Sequence, residues 1–286
     1  MTRHHVLLAT VGLAAGACVP PPPAPDDLNE LTRYLFHAQP DEDPRVPSAG
    51  LVNLEAFLLE QADEGRGVQV ETGLQERSWA LDDLTDDDVE SLPRRPDRPL
   101  SNAAGLAVAY RSSFPVRCHA ELQTRVDQVP IEPTATEYVR RFPEVDDPSC
   151  FADGSCTELI TVSDARRANA IFAADFVLYK NFRLLEYELD DGTPRTAMLA
   201  RSWFDRSWEA DDGEGGNALW QSYSTDVWID LGGDTALRIQ TLWNETELYI
   251  VGIPVEEETQ LATVKSATND IFRRADEVLT AEGACP

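Results

Sequence analysis

The chain has 286 residues with 51 acidic and 24 basic side chains, a net charge of −27 at neutral pH and a mean hydropathy of −0.33. Long-range repulsion of that size argues against partners that are polyanions, so nucleic acid is excluded as a partner. After residue 17 no apolar run approaches the roughly 18 residues that crossing a membrane requires, and the length allows one large domain or two small ones.

Residues 1–17 read as an export signal. Arg3 gives a positive start, Val6 to Ala15 is apolar but too short to span a bilayer, and Ala15-Gly16-Ala17 supplies small residues before Cys18. This stretch resembles the lipobox of bacterial lipoproteins. The resemblance implies that the Cys18 thiol is lipidated and becomes the new N-terminus, which anchors the chain to a membrane. Val19 follows where an Asp would mark inner-membrane retention, so the same resemblance implies the cell envelope, on the outer membrane. Residues 18–25 then form the lipid attachment and a Pro-rich tether, Pro20 to Pro23 followed by Pro25.

Residues 26–99 read as a small helical N-terminal region. Asp26 and Asp27 are placed to cap a helix carrying Leu28, Leu31 and Leu35 on one face. Ser48 is placed to cap a second helix bearing Leu51, Leu54, Phe57, Leu58 and Ala62. Val68 and Val70 predict a short strand, and Thr85 with Asp88 a capping pair for a brief helix that ends at Pro93. The breaker from Pro93 to Pro99 is either a domain boundary or a surface loop inside one domain.

Residues 100–286 read as an α+β domain. Val116, Cys118, Ala120, Leu122 and Val126 alternate with polar residues and predict a half-buried strand, with His119 on its solvent face. Pro130 to Ser155 has little periodicity and predicts mostly loop. Leu185 to Leu189 and Ala197 to Phe204 flank Asp190-Asp191-Gly192-Thr193-Pro194 as a hairpin. Leu219 to Leu231 and Ala236 to Trp243 flank Gly232-Gly233 as a second, whose glycines suit a two-residue turn. The chain closes with an apolar stripe, Leu261, Val264, Ile271, Phe272, Ala275, Val278 and Leu279, on a helix of roughly 25 residues that stops before Gly283. The fold class is therefore an antiparallel sheet of hairpins with a long C-terminal helix packed across it, preceded by the small helical region. Over about residues 105–286 this layout resembles the START-like helix-grip superfamily. A cystatin-like or unrelated α+β sheet is the alternative.

With Cys18 assigned to lipid, Cys118, Cys150, Cys156 and Cys285 remain, an even number in an exported chain, which predicts two disulfides. Cys150 and Cys156 flank a turn-like segment and close a small loop, which leaves Cys118 to pair with Cys285. A zinc site needs two close cysteine pairs, and the acidic runs lack the ligand spacing of a calcium loop, so no metal and no cofactor is expected.

Only His37 and His119 follow the signal, and no hydrolase or nucleotide signature occurs, so no catalytic residue is assigned. The least ordinary feature is the tryptophans, since five of six lie between Trp203 and Trp243. On the 219–231 strand Trp220 and Trp228 share the even face with Ser222, Ser224, Asp226 and Asp230, while the odd face is apolar, so both faces carry bulk. The expected function is a membrane-tethered module that binds a small apolar ligand between sheet and terminal helix, with Trp220 and Trp228 lining or capping the site. The alternative is an envelope assembly factor that docks another exported protein through the helices of residues 27–62, and the third a hydrolase without a recognisable motif.

Overall fold

The computed structural model describes residues 23–64, 77–168, 173–210, 216–250 and 252–283. The signal, Cys18, the short strand expected at Val68 and Val70, and Cys285 lie outside them.

The two expected N-terminal helices form. The first, α1 (Leu28–Ala38), is capped by Asp27, whose carboxylate accepts from the amides of Asn29 and Glu30. The second, α2 (Arg45–Glu64), starts earlier than Ser48, because Asp43 accepts from the Arg45 amide and holds its guanidinium. After β1 (Ser78–Leu81) comes α3 (Asp86–Val89), which closes with the expected reciprocal Thr85 and Asp88 bonds.

Three elements differ from expectation. Residues 116–126 do not form a strand: Val116–Gln123 is a helix, α4, behind β2 (Ala104–Ser112). Its alternating apolar residues are two i,i+4 pairs on opposite faces. Val116 and Ala120 pack with Phe151, Met198 and Trp228, whereas Cys118 and Leu122 pack on the C-terminal helix. Asp230 accepts from the Val116 amide at 2.6 Å and so caps this helix from another part of the fold. The stretch expected as loop holds β3 (Ala135–Arg141) and α5 (Ser149–Asp153).

The remaining strands are β4 (Glu158–Ala168), β5 (Ala173–Glu188), β6 (Pro194–Phe204), β7 (Trp208–Glu209), β8 (Ala218–Asp230), β9 (Ala236–Glu247), β10 (Tyr249–Ile250) and β11 (Ile253–Pro254). The main sheet is antiparallel in the order β1-β2-β9-β8-β6-β5-β4-β3, with β7 added to β8, while β10 and β11 form a separate hairpin. Both predicted hairpins are present. At the second, Gly232 and Gly233 have positive φ of 86° and 69°, but the Leu231 amide donates to the Thr235 carbonyl, so the loop has an extra residue. The long helix α6 (Glu257–Glu282) ends at Gly283, whose φ is 57°.

The sheet is covered on both faces. Odd residues of β8, Tyr223, Val227 and Ile229, join Leu199, Ile239 and Trp243 under α1 and α2. There Phe36 meets Tyr223 and Trp243 edge-on, each at 6.3 Å between ring centroids. This core takes residues from both sides of the Pro93 to Pro99 segment. The even face of β8 turns toward α6, whose Phe272 packs on Leu106, Val108 and Tyr110. The gripping helix therefore lies over the more polar of the two faces.

Candidate functional site

The space between α6 and the sheet follows from the residues that β6, β8 and β9 turn to that side. Ser202 pairs with Ser224, and Ser224 in turn with Leu242. Small hydroxyl side chains at the centre of the sheet cannot reach α6, and a cavity of about 130 Å³ results. Its floor is polar: Ser202 and Ser224 share a hydrogen bond of 2.6 Å, and Lys180, Gln240 and Asn244 stand around them. Its walls are mixed: Phe176, Leu178 and Phe204 stand with Tyr138 and the Glu132–Arg167 ion pair, and α6 contributes Val264, Thr268 and Ile271.

A wider groove of about 550 Å³ shares Leu242, Asn244 and Val264 with this cavity. It opens at the end of the sheet where Asp83, Ala104 and Thr246 meet Pro254, Val255 and Leu261. Together they offer an open vestibule and a narrow inner end with hydroxyl, amide and ammonium groups. That is a place to bind an amphipathic small molecule and orient its polar end.

Behind the cavity lies a buried charge cluster. Lys180 forms an ion pair with Asp226, which is completely buried, and Arg238 approaches the same carboxylate at 3.8 Å. Burial holds the Arg238 guanidinium below its ordinary pKa, against the opposing pull of Asp226 and Asp276. Trp228 is the plate on which these cations rest, with Arg238 at 4.6 Å and Lys180 at 5.9 Å from its ring centroid. Removing either cation leaves Asp226 less compensated in a dry environment, so the cluster fixes the polar end of the cavity at a set position.

A second buried cluster superficially resembles a catalytic triad. Ser112 Oγ donates to Asp276 Oδ1 at 2.7 Å and lies 2.8 Å from His119 Nε2. The serine thus sits between histidine and carboxylate, whereas a nucleophile needs the histidine in the middle. Burial, reinforced by Arg238, pushes the His119 pKa down to about 3, so the ring is neutral and its 3.9 Å approach to Asp276 is no ion pair. Burial raises the Asp276 pKa, opposed by hydrogen bonds from Ser112, the Ser113 amide and Tyr110. The group is a latch tying β2, α4 and α6 together. His119, expected on a solvent face, is 1% exposed because its segment is a helix pressed into the core.

Trp228, expected to line the site, is fully buried beside His119 and Phe182, and it meets the cavity only through Lys180. Trp220 is half-buried under the Arg98 guanidinium, 4.5 Å from its ring centroid, next to a bulge in β8. The two are not brought together. Cys150 and Cys156 are bonded, with Cα atoms 5.2 Å apart, and Cys118 is also in a disulfide. The apolar faces of α1 and α2, offered above as a docking contact, are occupied by the sheet. Lys180, Ser202, Asp226 and Arg238 were not anticipated, although the small polar even positions of β8 beside a tryptophan were a signal for them.

Among the described residues no cluster of three metal-ligating side chains occurs, and no helix is long and apolar enough to cross a membrane. No protein-family model and no curated protein matches this sequence. Among solved structures, the chain is similar to a START superfamily protein from Mycobacterium smegmatis at 9% identity, over 62% of this chain and 97% of that one, with a TM-score of 0.37. It is also similar to a STAR-related lipid transfer protein from Xanthomonas axonopodis (11% identity, 63% and 87% covered, TM-score 0.39) and to human StAR-related lipid transfer protein 5 (9%, 63% and 77%, TM-score 0.37).

Proposed function

We propose that this protein is a membrane-tethered lipoprotein of the cell envelope, anchored through Cys18, that binds a small, mainly apolar molecule with one polar end. The observation that carries the binding reading is the cavity between α6 and the sheet, which adjoins an open groove at Leu242, Asn244 and Val264 and is floored by Ser202, Ser224 and Lys180. The apolar part of the ligand lies under Val264 and Ile271, and its polar end meets the paired hydroxyls. Trp228 acts from behind by holding Lys180. Ser112, which lies beside His119, is buried and donates its hydrogen bond to Asp276, an arrangement that does not activate it as a nucleophile.

Native mass spectrometry of the protein purified in mild detergent tests this reading. A discrete added mass that disappears on denaturation is expected, and Ser224→Leu, which fills the inner end, should remove it while the circular dichroism spectrum is kept. A bare mass for both proteins, or an added mass that Ser224→Leu leaves unchanged, would place the ligand elsewhere or deny it.

A further inference from the structure

The hairpin β10–β11 brings together two of the exposed large apolar residues of the described chain, one of them the most exposed. Ile250 and Ile253 face each other across it and are 44% and 68% exposed. The pair flanks Gly252, whose φ is 73°, shortly before α6. Pro254 of the same hairpin and the adjoining Val255 form part of the rim of the open groove.

The end of the molecule that carries this hairpin is also the end at which the N-terminal segment joins the fold. Asn53 holds the carbonyls of Ala24 and Pro25 at 3.0 and 3.1 Å, and Asn29, in the first turn of α1, accepts from the Asp82 amide at 3.0 Å. Asp82 receives the Trp243 indole N–H at 2.9 Å, and its neighbour Asp83 lines the groove with Pro254. From Cys18 to Asp26 there are eight residues, which span at most about 30 Å even when fully extended. A folded unit of this size is about 45 Å across, so a lipid on Cys18 cannot let the opposite end face the bilayer.

We infer that this end is a membrane-docking surface, in which Ile250 and Ile253 insert into a neutral lipid bilayer and bring the mouth of the groove onto it. The orientation rests on the tethered-lipoprotein reading, whereas the insertion rests on the exposed isoleucines. The occupant is a bilayer of zwitterionic lipid because Glu247, Glu256, Glu257 and Glu258, all exposed, surround the hairpin and repel an anionic surface. A ligand drawn from the membrane then passes from bilayer to groove without crossing water.

The test places an environment-sensitive fluorescent amino acid at Ile253 or at Val126, a 55% exposed control apart from the hairpin, in the full chain and in its Cys18→Ser form. Phosphatidylcholine vesicles carrying an acyl-chain quencher are supplied in large excess, so insertion is read with or without the anchor, and detergent-phase partitioning reads the anchor separately. The expected result is a blue shift and loss of emission at 253 and not at 126, weakened by added phosphatidylglycerol. With the probe at 250, Ile253→Ser should abolish the quenching. No quenching at 253, or equal quenching at both positions, overturns docking even where partitioning shows the anchor intact. Quenching at 253 with the wild type in the aqueous phase of the partitioning assay would uphold docking and sink the tether.

Discussion

The neutral state of His119 makes stability depend on pH in a way that a single substitution exposes. Its folded-state pKa of about 3 lies well below the ordinary value of 6.5, so the unfolded chain binds this proton more tightly than the folded one. The contribution is therefore fully present above pH 6.5 and is lost as pH falls toward 3, at up to about 1.4 kcal/mol per pH unit. By pH 5 the loss amounts to about 2 kcal/mol, and in full it is roughly 4 to 5 kcal/mol. Acidification also relaxes the repulsion behind a net charge of −27 and titrates Asp230 and Asp276, both raised by burial, so the total slope of the wild type is not diagnostic. A comparison with His119→Gln removes those shared contributions, because glutamine keeps a donor for Ser112 and does not titrate. Urea unfolding of both proteins at pH 7 and pH 5 should show the wild type losing about 2 kcal/mol more than the variant over that interval. Equal losses, or a His119 ring that titrates near 6.5 by nitrogen NMR, would refute the claim that it is held neutral in the latch.

A Cβ on Gly105 would come within 2.8 Å of the Leu81 carbonyl oxygen and 2.9 Å of Trp243, so Gly105→Ala should destabilise by about 2 kcal/mol, read by denaturant titration of tryptophan fluorescence. Glu55 is 1% exposed and held by Arg195 Nε at 2.8 Å and the Tyr187 hydroxyl at 3.3 Å. Arg195→Met should therefore cost about 3 kcal/mol, and the Glu55→Leu/Arg195→Met double variant clearly less; a double variant worse than the single would contradict the account. Replacing Cys18 with Ser should move the protein from the detergent phase to the aqueous phase in a partitioning assay, and retention in the detergent phase would remove the lipid assignment.

What could be read from the sequence follows from how one-sided each element is. The hairpins of β5, β6, β8 and β9 pair apolar-rich strands across glycine turns, and the last helix has one stripe ending at a glycine, so both were legible. Helix α4 was not. It is buried on two sides, and its pairs 116/120 and 118/122 imitate a period of two; only the tertiary partners Phe151 and Leu279 distinguish the cases. Strand β3 was hidden for a related reason: it lies at the sheet edge with a bulge between Ala135 and Glu137, which breaks its alternation. Cys150 and Cys156 were legible because their closure is local. The ion pair of Lys180 and Asp226 was not, since it joins residues 46 apart that only the strand order makes neighbours.

The packing of α6 is uneven along its length, and this bears on how the cavity is reached. In its C-terminal half, Phe272, Ala275 and Leu279 are buried, Asp276 is bound by Ser112 and Tyr110, and Glu282 pairs with Arg125 at 2.6 Å. In its N-terminal half, Leu261 and Val264 are only partly covered, and the chief side-chain tie is Gln260, bonded to Thr246 and to the Val255 carbonyl. Elements with fewer buried contacts open at lower free-energy cost, so hydrogen exchange is expected to be faster in the N-terminal half of α6 than in its C-terminal half. The N-terminal half covers the groove and borders the inner cavity through Val264. On the proposed binding reading, the latch and the access route belong to one helix: the buried serine, histidine and aspartate would hold one end firm while the other end opens without loss of the fold.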